Sequence, residues 1–480
     1  MKNLLLAILI FFCAVLVQGQ PVDLFDGVGP DELSGSPPPG IAAVYPLTLS
    51  GTLVETLATA PAQVKIELPS VGTVTADLTY FEPREGFDAD DNPLPGADLA
   101  FLWRGKAGNI DVVMTVVGNN FCSSFVGPEG NFSVSKYEGS EEKKLIHLAA
   151  EPPVPLEPPV PPPPLFYKAP TFDELLETHR DTLSPAVYEA FKKGSILPET
   201  IIIDVLVVFT EQARIDAGGA PGNTSDNTDV RCEIYNANDN LNAAYANSEM
   251  NAASRIVDTQ RLPEFSPNSD SLLTLGNIKN HPTIQEWRES ANADIVSVTI
   301  RDTSSPDVSD CGYAYVQRSE CGDTGPIEKC DIGEAFRPYA YNWSAINCVK
   351  NYNVFAHEIG HNLGAEHEPE HALLYLPRER ASFNFSFGHK VSGVIDFRTM
   401  MTILPGGEKI LNFSSPAVEI GGYATGITND RHNARTIELL AALVASFYQP
   451  RPDFISGDNF KYGDLSAWSP GQSLKKARNE

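Results

Sequence analysis

Basic residues are the first shortage in this 480-residue chain, where 35 Lys and Arg face 62 Asp and Glu for a formal charge of −27. The acidic excess is spread along the sequence and gives a surface that repels phosphate backbones and anionic lipids, so nucleic acid is excluded as a partner. Long apolar runs are the second shortage. After Val17 no stretch is long and apolar enough to cross a bilayer, and no membrane insertion is expected. Cysteine is the third, with seven residues.

What is present begins with an export signal. Lys2 supplies a positive start, Leu4 to Val17 form an apolar run short for a membrane span, and Val17 and Gly19 are small residues suited to cleavage after Gly19. Residues 1–19 therefore read as a signal peptide, and the chain is expected to be secreted and extracellular. Cys13 leaves with that segment. Six cysteines remain: Cys122, Cys232, Cys311, Cys321, Cys330 and Cys348. An even number in an exported protein favours disulfides, whose pairing the count leaves open.

The chain then divides by texture. Between Leu47 and Tyr137 short alternating runs lie between Gly, Pro and Asn/Asp clusters. Val64, Ile66 and Leu68 alternate with polar residues, and Val112 to Val117 is a denser run closed by Gly118-Asn119-Asn120. A small antiparallel β domain is predicted over 20–150. Glu151 to Pro164 reads EPPVPLEPPVPPPP, a density of proline that forbids helix and sheet and leaves an extended rod, so 151–170 is a linker. Phe172 to Thr178 and Pro185 to Phe191 predict two short helices within a connector, 171–199.

From 200 to 450 strands and helices alternate. Ile201 to Phe209 is a buried-type strand, and a helix carries Ile234, Ala237, Leu241 and Ala244 on one face. Further strands fit Ile256-Val257 and Ile295 to Ile300, with a helix around Ile284 to Trp287. A last helix is expected over Thr436 to Tyr448, stopped by Pro450. This pattern makes an α/β layer. Residues 451–480 read as a flexible tail.

One stretch carries chemistry. Residues 357 to 367 read His-Glu-Ile-Gly-His-Asn-Leu-Gly-Ala-Glu-His. On a helix His357 and His361 stand one turn apart on one face, so both imidazoles reach one ion. Gly364 can take positive φ, end the helix and let His367 swing round as a third ligand. Three protein ligands leave a fourth position for water, the pattern of a catalytic rather than a structural zinc. Glu358, directly after the first ligand, is placed to act as general base toward that water. His371 and His389 read as surface histidines, because three imidazoles and water already complete a tetrahedral site.

These eleven residues resemble the extended zinc signature of the metzincin clan of metalloproteases. Phe397-Arg398-Thr399-Met400-Met401-Thr402 is similar to the methionine turn of the reprolysin-like families, with Met401 at the methionine position. Leu411 to Pro416 looks like the segment that follows that turn. Val205 to Thr210 and Asn240 to Ser248 resemble the first strand and helix of such domains, and Cys311 to Tyr315 resembles their cleft-edge strand, with Gly312, Tyr313 and Ala314 open to an extended peptide. The resemblance, which covers roughly residues 200 to 448, implies an α/β metzincin-like catalytic domain with a twisted mixed sheet, a zinc helix and a Met-turn, preceded by a small all-β propeptide domain. It implies a zinc endopeptidase made as a precursor, acting on protein or peptide substrates and needing one catalytic Zn2+. A structural Ca2+ is neither required nor excluded by these motifs.

The resemblance further implies a Cys311–Cys348 disulfide, with Cys321 and Cys330 closing a local loop. Cys122 then has two readings, a disulfide to Cys232 or a thiolate that blocks the zinc. Two departures stand out. Glu368 follows the third histidine where reprolysin-like enzymes usually carry Asp, and Thr402-Ile403 follow Met401, without the tyrosine ligand of other clan members. No protein oxyanion donor is assigned. A silent binding protein and a hydrolase of non-peptide amides are the competing classes, separated from a protease by zinc content and chelator-sensitive casein hydrolysis.

Overall fold

The alternation of Val64, Ile66 and Leu68 becomes a strand whose three apolar residues are fully buried. The structure, a computed structural model, describes residues 21–33, 40–84, 100–137, 140, 142–149, 172–193, 200–223, 226–301, 310–318, 332–374, 378 and 381–448. The expected leader, the proline-rich linker, Cys321, Cys330 and the expected tail lie outside those residues.

The N-terminal region is larger than a small β domain. Its strands are Val22–Asp23 (β1), Phe25–Val28 (β2), Ile41–Leu49 (β3), Gln63–Leu68 (β4), Gly72–Arg84 (β5), Ala100–Ala107 (β6), Ile110–Val117 (β7), Asn120–Gly127 (β8), Gly130–Lys136 (β9) and Lys143–Leu148 (β10). They form one ten-stranded sheet in the order β1-β4-β5-β6-β7-β8-β9-β10-β3-β2. All neighbours are antiparallel except the parallel β1–β4 pair. A short helix, Leu53–Ala58 (α1), buries Leu53 and Leu57 in the core of this sheet.

The connector helices form as expected, at Phe172–Thr178 (α2) and Pro185–Lys193 (α3). Leu176, Leu183, Val187 and Tyr188 bury into the main core of the following domain.

That domain holds a five-stranded sheet of Ile201–Thr210 (β11), Ala252–Leu262 (β12), Ile295–Ile300 (β13), Gly312–Ala314 (β14) and Tyr341–Ala345 (β15). The order is β12-β11-β13-β15-β14; four strands run parallel, and β14 closes the edge antiparallel to β15. Parallel strands covered on both faces read as continuous apolar runs, which is why Ile201 to Phe209 was legible. The helices that follow in chain order are Glu211–Asp216 (α4), Thr228–Asn247 (α5), Ser271–Lys279 (α6), Pro282–Ala291 (α7), Ile346–Tyr352 (α8), Val354–Asn362 (α9), Pro369–Ala372 (α10) and Asn433–Val444 (α11). The last begins three residues before its expected start and ends at Val444, short of Tyr448. Its apolar rhythm outlasts it because Ser446 and Phe447 turn back onto Leu443 and Val444 with i→i+3 bonds, keeping Phe447 buried.

α5 is buried on both faces. Its apolar face packs into the main core of this domain, while its polar stripe lies under the N-terminal sheet. Asp239 accepts from Arg84 at 2.5 and 3.0 Å and from Thr115 at 2.7 Å. Ser124 links Asn236 and Asn240, and Lys136 pairs with Asp229 at 2.9 Å. Cys122 of β8 is bonded to Cys232 of α5, which settles the two readings of Cys122 in favour of the disulfide. Cys311 is bonded to Cys348, as the resemblance implied. The sequence carries five Asn-X-Ser/Thr sequons, of which Asn223 and Asn384 are exposed, whereas Asn131, Asn342 and Asn412 are buried.

Candidate metal centre

α9 carries the first two histidines, and its boundaries follow from local chemistry. Asn353 adopts φ +55°, a left-handed conformation that Asn tolerates, and so separates α8 from α9. At the other end Gly364 takes φ +79°. Gly364 N–H donates to His361 O and Ala365 N–H to Gly360 O, both at 2.9 Å, a Schellman closure. A Cβ at Gly364 would collide with Leu440 and Ser382, so glycine is required on two grounds. The chain then bridges Glu366 to Phe387 and brings His367 back over the helix.

The three imidazoles meet. Nε2 of His357 and Nε2 of His361 each lie 3.0 Å from Nε2 of His367. His357 Nδ1 faces Met400 O at 3.0 Å and His361 Nδ1 faces Ala365 O at 2.8 Å. A carbonyl only accepts, so both Nδ1 atoms carry the proton and both Nε2 atoms present lone pairs. Burial pushes all three histidines well below their ordinary range, His361 to about 3, which keeps them neutral. Two lone pairs aimed at a third buried imidazole nitrogen make a place for a cation, and the spacing suits bonds of about 2.0–2.1 Å to zinc. Among the described residues this is the one His/Cys/Asp/Glu group suited to a metal.

The turn after α9 supports the site from beneath. Lys390–Val391 (β16), Phe397–Arg398 (β17) and Glu408–Lys409 (β18) form a small sheet around it. Met400 offers its carbonyl to His357, while Met401, fully buried, places Sδ 2.6 Å from where a Cβ on Gly360 would stand. Gly360 therefore lets Met401 pack directly on α9. Glu368, in the place of the usual Asp, accepts from Ile403 N–H at 3.0 Å and Leu404 N–H at 2.8 Å and so pins the chain leaving the turn.

Glu358 is 3% exposed, and its carboxylate lies against Gly312 of the edge strand. Tyr313 and Ala314 follow Gly312 along β14 and are part-exposed. Asn362, unremarked in the sequence, donates to Tyr315 O at 2.8 Å and Tyr341 O at 3.1 Å, locking the helix to the sheet edge. His371 is not a surface histidine: it is 2% exposed, with its ring centroid 5.2 Å from that of His367, because α10 turns it inward. His389 is part-exposed. Lys409 was also missed. It is 7% exposed, and its charge bears on all three histidines and on Glu358. Nothing in its local sequence signals this, since two strands and a turn deliver it.

Comparison with known proteins agrees with this geometry. Residues 200–402 match the family described as Metallo-peptidase family M12. A curated relative, the peptidyl-Asp metalloendopeptidase of Pseudomonas aeruginosa, is 30% identical over 226 residues, 46% of this chain. The chain spans only 34% of that relative's length. Among solved structures, one described as a chaperone-substrate complex matches 52% of this chain and 35% of its own at 18% identity and a TM-score of 0.38. Metalloproteinase-II from Bacteroides fragilis matches 65% of this chain and 84% of its own at 10% identity and a TM-score of 0.29. At those scores neither structural likeness bears on the fold.

Proposed function

With residues 200–402 a metallopeptidase domain of the M12 family, we propose that this chain is a secreted zinc metalloendopeptidase, made as a precursor, that cuts peptide bonds beside acidic residues. The observation that carries the reading is the convergence of the Nε2 atoms of His357, His361 and His367 beside Glu358. Zinc, when held there, supplies Lewis acidity that polarises the scissile carbonyl and acidifies water.

The chain's own groups do the rest. An extended substrate adds to the free edge of β14 through Gly312, Tyr313 and Ala314, which fixes the scissile bond over the histidines. Glu358 takes the proton of the attacking water and delivers it to the leaving amine. Met401 and Glu368 hold the floor beneath the histidines. The acidic preference is taken from the relative's name, which specifies peptidyl-Asp bonds. The precursor reading rests on the leader and the proline-rich linker, and a form cut between Pro164 and Ile201 is expected to be more active than the intact precursor.

The test is metal analysis joined to casein hydrolysis. One zinc per chain, with activity abolished by a chelator and restored by zinc, supports the reading. Stoichiometric zinc with no hydrolysis of casein or peptides would overturn it.

A further inference from the structure

Beneath the N-terminus of α9 lies a narrow cavity of about 20 Å³ that neither the zinc site nor the edge strand uses. Its walls come from both halves of the chain. Asn131 and Ser133 of β9 face Asn353, Arg398 and Lys409 across it. Asn131 donates to the Glu408 carboxylate at 2.8 Å and to Lys409 O at 3.2 Å, and Ser133 Oγ donates to Asn351 at 2.8 Å. The N-terminal sheet thus holds β18 in place and completes the cavity.

The chemistry of the lining is cationic. Lys409 is 93% withdrawn from solvent, and among the described residues no carboxylate lies within ion-pair distance of its ammonium. Of the carboxylates whose charge reaches it, Glu368 is bonded to the Ile403 and Leu404 N–H groups and Glu358 lies against Gly312, while the adjacent Glu408 is bonded to Asn131. Arg398, its register partner in β17, adds a second positive charge. The first N–H groups of α9 have no side-chain cap and add the positive end of the helix dipole. Burial pushes Lys409 down to about 7, and a carboxylate seated beside it would hold it charged. The cavity lies one helical turn below His357, whose N–H bonds Asn353 O. Its volume is about what one water occupies, so an entering carboxylate would take that water's place and an aromatic ring would not fit.

We propose that Lys409, with Arg398 beside it, binds the carboxylate of an acidic substrate side chain next to the scissile bond, in a pocket that the N-terminal sheet completes. This rests on the peptidase reading above and adds to it the residues that set specificity. It also makes the sheet a lasting part of the enzyme rather than a detachable inhibitor. The reaction is unchanged; Lys409 orients substrate and takes no proton from it.

The experiment uses the zinc-loaded full-length chain and two peptides differing only in one Asp or Asn. Wild type is expected to favour the Asp peptide in kcat/KM by tenfold or more, the scale of one charged hydrogen bond. Lys409→Met should raise KM for the Asp peptide and bring the ratio near one, while Lys409→Arg should restore part of the preference. Calorimetric binding of both peptides to the Glu358→Gln chain, with and without Lys409→Met, gives a readout independent of turnover. Casein hydrolysis without an Asp preference overturns the pocket and the acidic preference, a preference that survives Lys409→Met overturns the pocket alone, and in both cases the peptidase reading stands. A chain that hydrolyses nothing fails the peptidase reading. The pocket then stands only if Asp binding exceeds Asn binding and is lost with Lys409.

Discussion

Gly312 leaves room for Glu358: a Cβ at position 312 would stand 2.5 Å from Glu358 Oε1 and 2.7 Å from Val354 Cγ1. The edge strand and α9 thus meet through a missing side chain, and the carboxylate occupies the space that the strand concedes. Gly312→Ala would push Glu358 off its position without touching a metal ligand. We expect zinc content to be unchanged and kcat to fall about tenfold or more, since a displacement near 1 Å is costly at a reacting centre. Normal turnover in this variant would show that Glu358 tolerates displacement.

Glu358→Gln keeps size and hydrogen-bonding capacity and removes the basicity. Turnover is expected to drop about a hundredfold or more with zinc and thermal stability retained. Near-normal activity with one zinc per chain would remove Glu358 from the role of base.

Helix α9 was legible because everything that defines it is local: two histidines four apart, a glutamate between them, and a glycine that ends the helix. The edge strand and the turn at Met401 were legible only through resemblance, since three residues of strand and a tight turn carry no periodicity of their own. The polar stripe of α5 was not readable as buried. Asp229, Glu233, Asn236, Asp239 and Asn240 look like the solvated side of an amphipathic helix until Arg84, Thr115, Ser124 and Lys136 arrive from more than ninety residues away. Lys409 and His371 escaped for the same reason. Their surroundings are assembled by tertiary packing, which a local pattern does not encode.

Glu368 is longer by one methylene than the Asp that the resemblance led one to expect. Two backbone N–H groups bond its buried carboxylate, so Glu368→Ala leaves both donors unsatisfied and should destabilise the fold by about 2–4 kcal/mol. Glu368→Asp should cost less and shift the turn toward the histidines. Urea unfolding of the zinc-loaded variants measures both. Equal stability of Glu368→Ala and wild type would mean that the two bonds hold nothing in place.

Zinc affinity should be unusually insensitive to mild acid. An ordinary histidine near 6.5 takes up a proton below that pH and must lose it to bind metal. Here burial holds His361 at about 3, with His357 and His367 also well below their ordinary range. The metal-free site therefore remains neutral through pH 5, and zinc displaces no protons from it there. Competition with a chelator of known pH dependence should give a constant zinc Kd from pH 7.5 to about 5. A weakening of up to tenfold per pH unit for each histidine, beginning near 6.5, would indicate ordinary imidazoles.

The Cys122–Cys232 disulfide joins the N-terminal sheet to α5 across 110 residues of sequence. Every cut in the connector falls inside that span. Cleavage there converts one chain into two without separating them. Lys192-Lys193, a dibasic candidate, sits in the last turn of α3, where Lys193 pairs with Glu189 at 3.1 Å and Lys192 lies over Tyr188. A protease must unwind that turn before it can cut, which favours cleavage on its proline-rich side. Limited proteolysis should give a product that runs as one species on a non-reducing gel and as two after reduction. In the Cys122→Ser/Cys232→Ser pair the covalent link is gone, and the buried contacts, those of Arg84, Thr115, Ser124, Ser133, Lys136 and Asn131 among them, must hold the pieces. Gel filtration of that cut variant then asks how strong they are. Co-elution would show that the sheet stays docked by packing, and separation with loss of activity would show that the disulfide keeps the enzyme whole. Recovery of a freely diffusing N-terminal piece from wild type without reductant would refute the link itself.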